Sequence, residues 1–261
     1  MNRHYTPLWL LLAVAFALFF LLSCFDSPRI LGHELKTSGM ADALLAEVTA
    51  EEMSDSTVAE TDTAAHPEFP VPVDTAAKTI LFIGDSMLEG LSPRLAAYAN
   101  ASGHRLYTVI WYSSTSQIWG ESHKLSHYID SLHPDYLFIC LGANELFVRD
   151  IKEKRRRFVK EIVSEAGNIP FLWIGPPNWR DDTGINELIA GNTPRGCYFR
   201  SDGMKFDRKK DGAHPTASSA IEWMDSIVRW MPDHSAHPIR LVTPERKTGR
   251  PVRVFIHQPV K

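Results

Sequence analysis

Cysteine is scarce in this 261-residue chain: only Cys24, Cys140 and Cys197 occur. Three thiols cannot build a disulfide framework, which excludes a small cross-linked scaffold. An oxidising compartment would permit a Cys140–Cys197 bridge. The simpler reading makes Cys140, at the end of an apolar run, a small buried hydrophobe. Positive charge is not in excess either, with 28 Lys and Arg against 31 Asp and Glu and a net charge of −3. No basic stripe is interleaved with aromatics, so nucleic acid is not an expected partner. Internal repeats are absent as well, and with them the repeat architectures.

Long hydrophobic runs are also few, and one stands apart. Leu8 to Leu22 is uninterrupted, preceded by Arg3 and His4 and followed by Ser23-Cys24. A charged start and an apolar core describe an export signal. Two readings stay open for residues 1–25. Leu21-Leu22-Ser23-Cys24 resembles a bacterial lipobox, which makes Cys24 the candidate for lipidation. Alternatively the segment remains as an uncleaved anchor with Arg3 inside. Both predict an extracytoplasmic protein tethered to a membrane, in the periplasm or cell envelope.

Residues 26–77 are expected to be an acidic, flexible stalk. From Ser38 to Ala77 there is no Lys or Arg, while Asp, Glu, Thr, Ala and Pro dominate. Such a composition buries too little apolar surface to offset the entropy of ordering. Residues 78–231 read as the folded domain. Apolar strand-like runs at Thr79–Ile83, Leu106–Trp111, Tyr136–Leu141 and Phe171–Ile174 alternate with helical segments. The helices are predicted at Pro93–Ala101, Ile118–Leu132, Ile151–Ala166 and Thr216–Trp230. Continuous apolar strands between amphipathic helices imply an α/β fold, a parallel sheet covered on both faces. Residues 232–261, with several prolines and basic residues, are expected to form a C-terminal arm.

Three strand ends carry abrupt polar sequence: Gly84-Asp85-Ser86, Ser113-Ser114-Thr115-Ser116 and Gly142-Ala143-Asn144-Glu145. Ligands in open α/β sheets bind at the carboxyl ends of strands, so these would converge. Asp211-Gly-Ala-His214-Pro215 precedes the last helix and would bring an imidazole to the same edge. Taken singly, each is also an ordinary turn or capping pattern. Their joint occurrence in this order points to catalysis. No Gly-x-Ser-x-Gly elbow occurs, and the Asp and His are close neighbours, which argues against the α/β-hydrolase arrangement.

From about Lys78 to Trp230 these blocks resemble the SGNH (GDSL-type) hydrolase family. The resemblance implies a three-layer α/β/α sandwich with a central parallel sheet, of the flavodoxin-like kind. It implies Ser86 as nucleophile, His214 as general base and Asp211 as the carboxylate that orients it. It implies an oxyanion hole from the backbone of Ser86, the amide of Asn144 and the block-two position. Counting along the strand puts Ser116 where the family has glycine, and Glu145 stands where Asp is commoner. No metal or organic cofactor is implied.

The expected function is a serine esterase removing O-acyl, chiefly O-acetyl, groups from a cell-envelope or extracellular polysaccharide. The partners are then an acylated carbohydrate and, through the N-terminal segment, a membrane. Two alternatives remain: a polysaccharide O-acetyltransferase with a membrane-bound acyltransferase as donor, and a non-catalytic carbohydrate-binding protein. His123 and His127, four apart, could ligate a metal, but a solvated helix face is the simpler reading. Lys152 to Arg157 reads as exposed helix surface. Trp111, Tyr112, Trp119 and Trp179 fall near the catalytic edge, suited to sugar stacking or to core packing.

Overall fold

The computed structural model describes residues 29–30, 33–34 and 70–260. The apolar run, Cys24 and most of the acidic segment lie outside the described residues. Within residues 1–64, strands β1 (Arg29–Ile30) and β2 (His33–Glu34) form an antiparallel pair.

From Pro70 onward, the chain forms β3 (Thr79–Gly84), α1 (Leu88–Ala101), β4 (Arg105–Trp111), α2 (Ser116–Ser122), α3 (Lys124–Leu132) and β5 (Tyr136–Cys140). There follow α4 (Ile151–Ala166), β6 (Phe171–Ile174), α5 (Ile185–Ala190), β7 (Tyr198–Phe199), α6 (Ala217–His234) and β8 (Arg253–His257). The six strands β3 to β8 make one parallel sheet in the order β7-β6-β5-β3-β4-β8. This is the expected α/β fold. Strand β3 lies between β4 and β5, so the chain reverses its direction of winding there. The carboxyl edge beside β3 is the topological switch point where a crevice opens.

Both sheet faces are covered. Ile80, Phe82, Leu106 and Phe138 meet α1 and α6 through Leu91, Leu95, Trp223 and Ile227. Leu81, Ile83, Val109 and Ile139 meet the other helices through Trp119, Leu125, Val159, Ile162 and Leu188. Alternate residues of one strand thus feed two cores, which explains why β3 and β5 read as unbroken apolar runs. Each of these buried large side chains contributes roughly 1.5–3 kcal/mol.

Several boundaries differ from expectation. Helix α1 starts at Leu88, a turn before Pro93, which sits inside it. The segment expected as one helix from Ile118 to Leu132 is two, because His123 is left-handed with φ 51°. Helix α6 runs on to His234 with Pro232 inside. The C-terminal arm supplies an edge strand, β8, paired in parallel with β4 from Tyr107↔Arg253 to Trp111↔His257. The end of the expected stalk also joins the fold, since Asp74 N–H donates to Pro238 O and Arg240 N–H to Asp74 O, each at 2.8 Å. Cys140 and Cys197 are free and buried. Among the described residues, no helix is long and apolar enough to cross a membrane.

Candidate active site

At Gly84, the last residue of strand β3, only glycine fits. A Cβ there would collide with the Cys140 carbonyl oxygen of β5 and with Leu88. The chain then turns sharply through Asp85-Ser86-Met87 into α1. Asp85 Oδ1 accepts the Met87 N–H at 2.9 Å, which holds the turn with Ser86 at its apex. The Ser86 N–H has no partner among the described residues.

His214 arrives from the loop before α6, which Thr216 caps by accepting the Ser219 N–H on its Oγ1. Its Nε2 lies 2.8 Å from Ser86 Oγ, and its Nδ1 lies 2.9 Å from Asp211 Oδ2. Asp211 Oδ1 also accepts the N–H groups of Ala213 and His214, at 2.8 and 2.9 Å. Those backbone donors, His214 first, hold the Asp211 carboxyl down at about 2. A carboxylate so held presents Oδ2 to the ring and fixes the tautomer with its proton on Nδ1, leaving Nε2 to accept from the serine. The three side chains expected to form a relay do stand in line.

Asn144 follows β5 through Gly142, whose φ of 117° suits glycine. The Asn144 amide donates to Ser114 O at 2.9 Å and approaches Asp85 Oδ2 at 3.4 Å. It therefore ties the carboxyl ends of β3, β4 and β5 together beside Ser86. Turning one N–H from the longer Asp85 contact makes it available to an oxyanion. Asp85 itself is fully buried, and its carboxyl is pushed up to about 7 by loss of hydration, despite the Met87 hydrogen bond.

Ser116 does not serve as expected. It is the first residue of α2, after Thr115, which accepts the Ile118 N–H at 3.2 Å. A first-turn N–H needs a partner outside the helix, and here Glu145 Oε2 takes it at 2.7 Å, while Oε1 accepts the Ser116 hydroxyl at 2.8 Å. Both residues are fully buried. Arg155 Nε, 2.8 Å from Glu145 Oε1, completes the cluster, so one cation of the 152–157 run is half-buried in an ion pair rather than exposed. Burial still raises the Glu145 carboxyl above its ordinary range, against the donors from Ser116 and Arg155.

The residue at this strand end with glycine-like geometry is Ser113. Its φ is 57°, it is exposed, and its N–H has no partner among the described residues. It directly precedes Ser114, whose carbonyl receives the Asn144 amide. The two unpaired N–H groups, on Ser86 and Ser113, thus belong to the neighbours of Asp85 and Ser114, the residues that the Asn144 amide touches. Sequence counting missed Ser113; the signal that could have found it is Thr115, a residue type suited to a helix cap, which would put Ser116 inside the helix.

Of the aromatics, Trp111 and Trp119 are core, and the Trp119 indole donates to Ser114 Oγ at 3.0 Å. Tyr112 donates to Glu89 Oε1 at 2.5 Å on the rim. Trp179 donates to Ala143 O at 2.9 Å, one residue before Asn144. His123 does not pair with His127. Its Nδ1 meets Glu165 at 2.9 Å and Glu161 at 3.7 Å, three ligand-type groups within 4.8 Å of one another. A cavity of about 180 Å³ lies at the opposite, amino edge of the sheet, between Asp74, Lys78, Tyr136 and His237.

A nucleophile, base and orienting carboxylate in hydrogen-bond sequence, at a sheet edge that also carries unpaired N–H groups, can perform acyl transfer. No family model and no curated protein matches the chain. Among solved structures it is similar to the psychrotrophic esterase EstA from Pseudoalteromonas sp., inhibited by monoethylphosphonate, at 19% identity and a TM-score of 0.42, over 59% of this chain and 99% of that one. It is also similar to a candidate platelet activating factor from Streptococcus pneumonia, at 14% identity and a TM-score of 0.41, over 75% of this chain and all of that one.

Proposed function

We propose that the chain is a serine esterase that removes O-acyl groups, O-acetyl foremost, from a cell-envelope or extracellular polysaccharide. The observation that carries the chemistry is the 2.8 Å contact from Ser86 Oγ to His214 Nε2, backed by the 2.9 Å contact from His214 Nδ1 to Asp211. Ser86 Oγ attacks the ester carbonyl as its proton passes to Nε2. The oxyanion is held by the N–H groups of Ser86 and Ser113 and the Asn144 amide, each worth roughly 3–4 kcal/mol of barrier. The sugar alkoxide leaves with the proton from Nε2, giving acyl-Ser86 and free alcohol. Water, deprotonated by Nε2, then attacks the acyl carbon, and collapse returns Ser86 and a carboxylic acid.

The left-handed Ser113 supports catalysis over a binding-only role, because its N–H is free at the strand end where that of Ser116 is committed to Glu145. The polymer substrate and an extracytoplasmic, membrane-tethered location rest on Arg3, the apolar run and the Ser23-Cys24 boundary. An exposed relay suits an acyl group displayed on a polymer: the side chains of His214 and Asp211 are 27% and 48% accessible. The test is acetate release from O-acetylated polysaccharide by the full chain and by Ser86→Ala. Release by the parent and none by the variant is the expected result. Equal release by both would refute it.

A further inference from the structure

Beside the oxyanion residues, an aromatic and cationic surface is held in place by both neighbouring loops. Phe147 is 50% exposed, the one aromatic among the exposed large apolar side chains of the described residues. Its exposure does not come from slack backbone. Leu146 O accepts the Thr183 N–H at 2.8 Å and Val148 O accepts the Thr183 hydroxyl at 2.6 Å, so each neighbour of Phe147 is pinned. Trp179 packs against Phe147 edge-on, with ring centres 6.3 Å apart, and its indole is anchored on Ala143 O. Arg208 links the same loop to the base, donating to Asn178 O at 3.0 Å and to Ala213 O at 2.5 Å.

Arg180 completes the surface. Its guanidinium lies 5.5 Å from the Phe147 ring centre and 5.0 Å from that of Trp179. It has no ion pair or hydrogen-bond partner among the described residues. Arg94, Arg155 and Arg200, by contrast, all meet carboxylates. An arginine stacked on two rings keeps its fork of donors free and orients it at little further entropic cost. The loop bearing Asp211 and His214 adds exposed Lys205 and Lys210.

We propose that Arg180, presented by Phe147 and Trp179, recognises an anionic group on the acyl-bearing carbohydrate, so that the substrate is an acidic polysaccharide. This rests on the esterase reading for its catalytic consequence and on Arg180 alone for binding. A planar fork takes a carboxylate or a phosphate in two parallel hydrogen bonds, and the exposed Phe147 ring offers its edge and free face to the sugar.

The experiment uses the full chain and its Arg180→Ala variant on O-acetylated polygalacturonate, an O-acetylated polyol phosphate, neutral O-acetylated xylan and p-nitrophenyl acetate. The expected result is a fall of about 10-fold or more in the ratio of kcat/KM on an acidic polymer to that on p-nitrophenyl acetate, with no such fall on xylan. The polymer that shows the loss distinguishes carboxylate from phosphate. Salt at about 0.5 M reproduces the loss in the parent. A second arm measures binding of unacetylated polygalacturonate and polyol phosphate to Ser86→Ala with and without Arg180→Ala. Equal ratios on acidic and neutral polymers, or binding indifferent to Arg180, would overturn the proposal. Failure of the parent to cleave even p-nitrophenyl acetate would sink the esterase reading instead, while the binding arm still decides on Arg180.

Discussion

The amide of Ser116 donates to Glu145 at 2.7 Å, so the residue counted from sequence as an oxyanion donor is committed to a buried carboxylate. The pair joins the start of α2 to the loop after β5, and Arg155 balances its charge from α4. Three elements that frame the catalytic edge thus meet on one side chain. Glu145→Ala leaves the Ser116 N–H and the Arg155 guanidinium without that acceptor. Denaturant unfolding should show a loss of about 3–5 kcal/mol. A change of under about 1 kcal/mol would contradict this structural role.

Ser113 is left-handed at φ 57°, a conformation that costs a residue with a Cβ roughly 1–2 kcal/mol. Ser113→Gly should therefore raise stability by a few tenths to about 1 kcal/mol, read as a shifted unfolding midpoint. Ser113→Pro removes the N–H and cannot adopt the angle. Its kcat should fall by about 10²–10³-fold, as loss of one oxyanion donor does. Ser116→Gly, which keeps its N–H and loses a hydroxyl bonded to Glu145, should cost stability instead.

Buried Asp85 has a carboxyl raised from 3.8 to about 7 by loss of hydration. Its stability contribution is full below pH 3.8 and is lost as pH rises through 7, because the unfolded chain ionises first. Between pH 5 and pH 8.5 this lowers unfolding free energy by about 2–3 kcal/mol. Asp85→Asn should remove most of that slope. Parallel stability curves for parent and variant would contradict the assignment.

Asp211 has the opposite sign. Held at about 2 by the N–H groups of His214 and Ala213, it supports the fold above pH 3.8 and loses that support as pH falls through 2. Asp211→Asn can still accept the backbone N–H groups, but it presents an amide nitrogen to Nδ1 and selects the wrong tautomer. Esterase kcat should drop by up to about 10⁴-fold, while the unfolding midpoint at neutral pH falls only modestly, because the support from so exposed a carboxylate is screened by solvent. Comparable losses of stability and rate would contradict a positioning role.

The parts of this fold legible in sequence are those where one physical rule acts alone. Strands β3 and β5 are buried on both faces, so Ile80 to Ile83 and Tyr136 to Cys140 read as plain apolar runs. Asp211 and His214 are legible because their spacing lets one carboxylate serve both ring and backbone. Strand β8 was not legible. Val254 and Ile256 stay exposed at the sheet edge, and only Phe255 and His257 pack, against Tyr128 and Trp111. Ser113 was hidden because a turn separates Trp111 from α2, and strand periodicity does not count through a turn. Glu145 and Arg155 meet ten residues apart through a loop, a contact that helix spacing does not announce.

The most direct test of the Ser86 relay is intact-mass measurement after exposure to a fluorophosphonate. The expected result is one adduct per chain, mapped to Ser86, absent in Ser86→Ala and formed at least about 10³-fold more slowly in His214→Ala. A folded parent chain that takes no adduct, or takes it elsewhere, would contradict the assignment of Ser86 as an activated nucleophile.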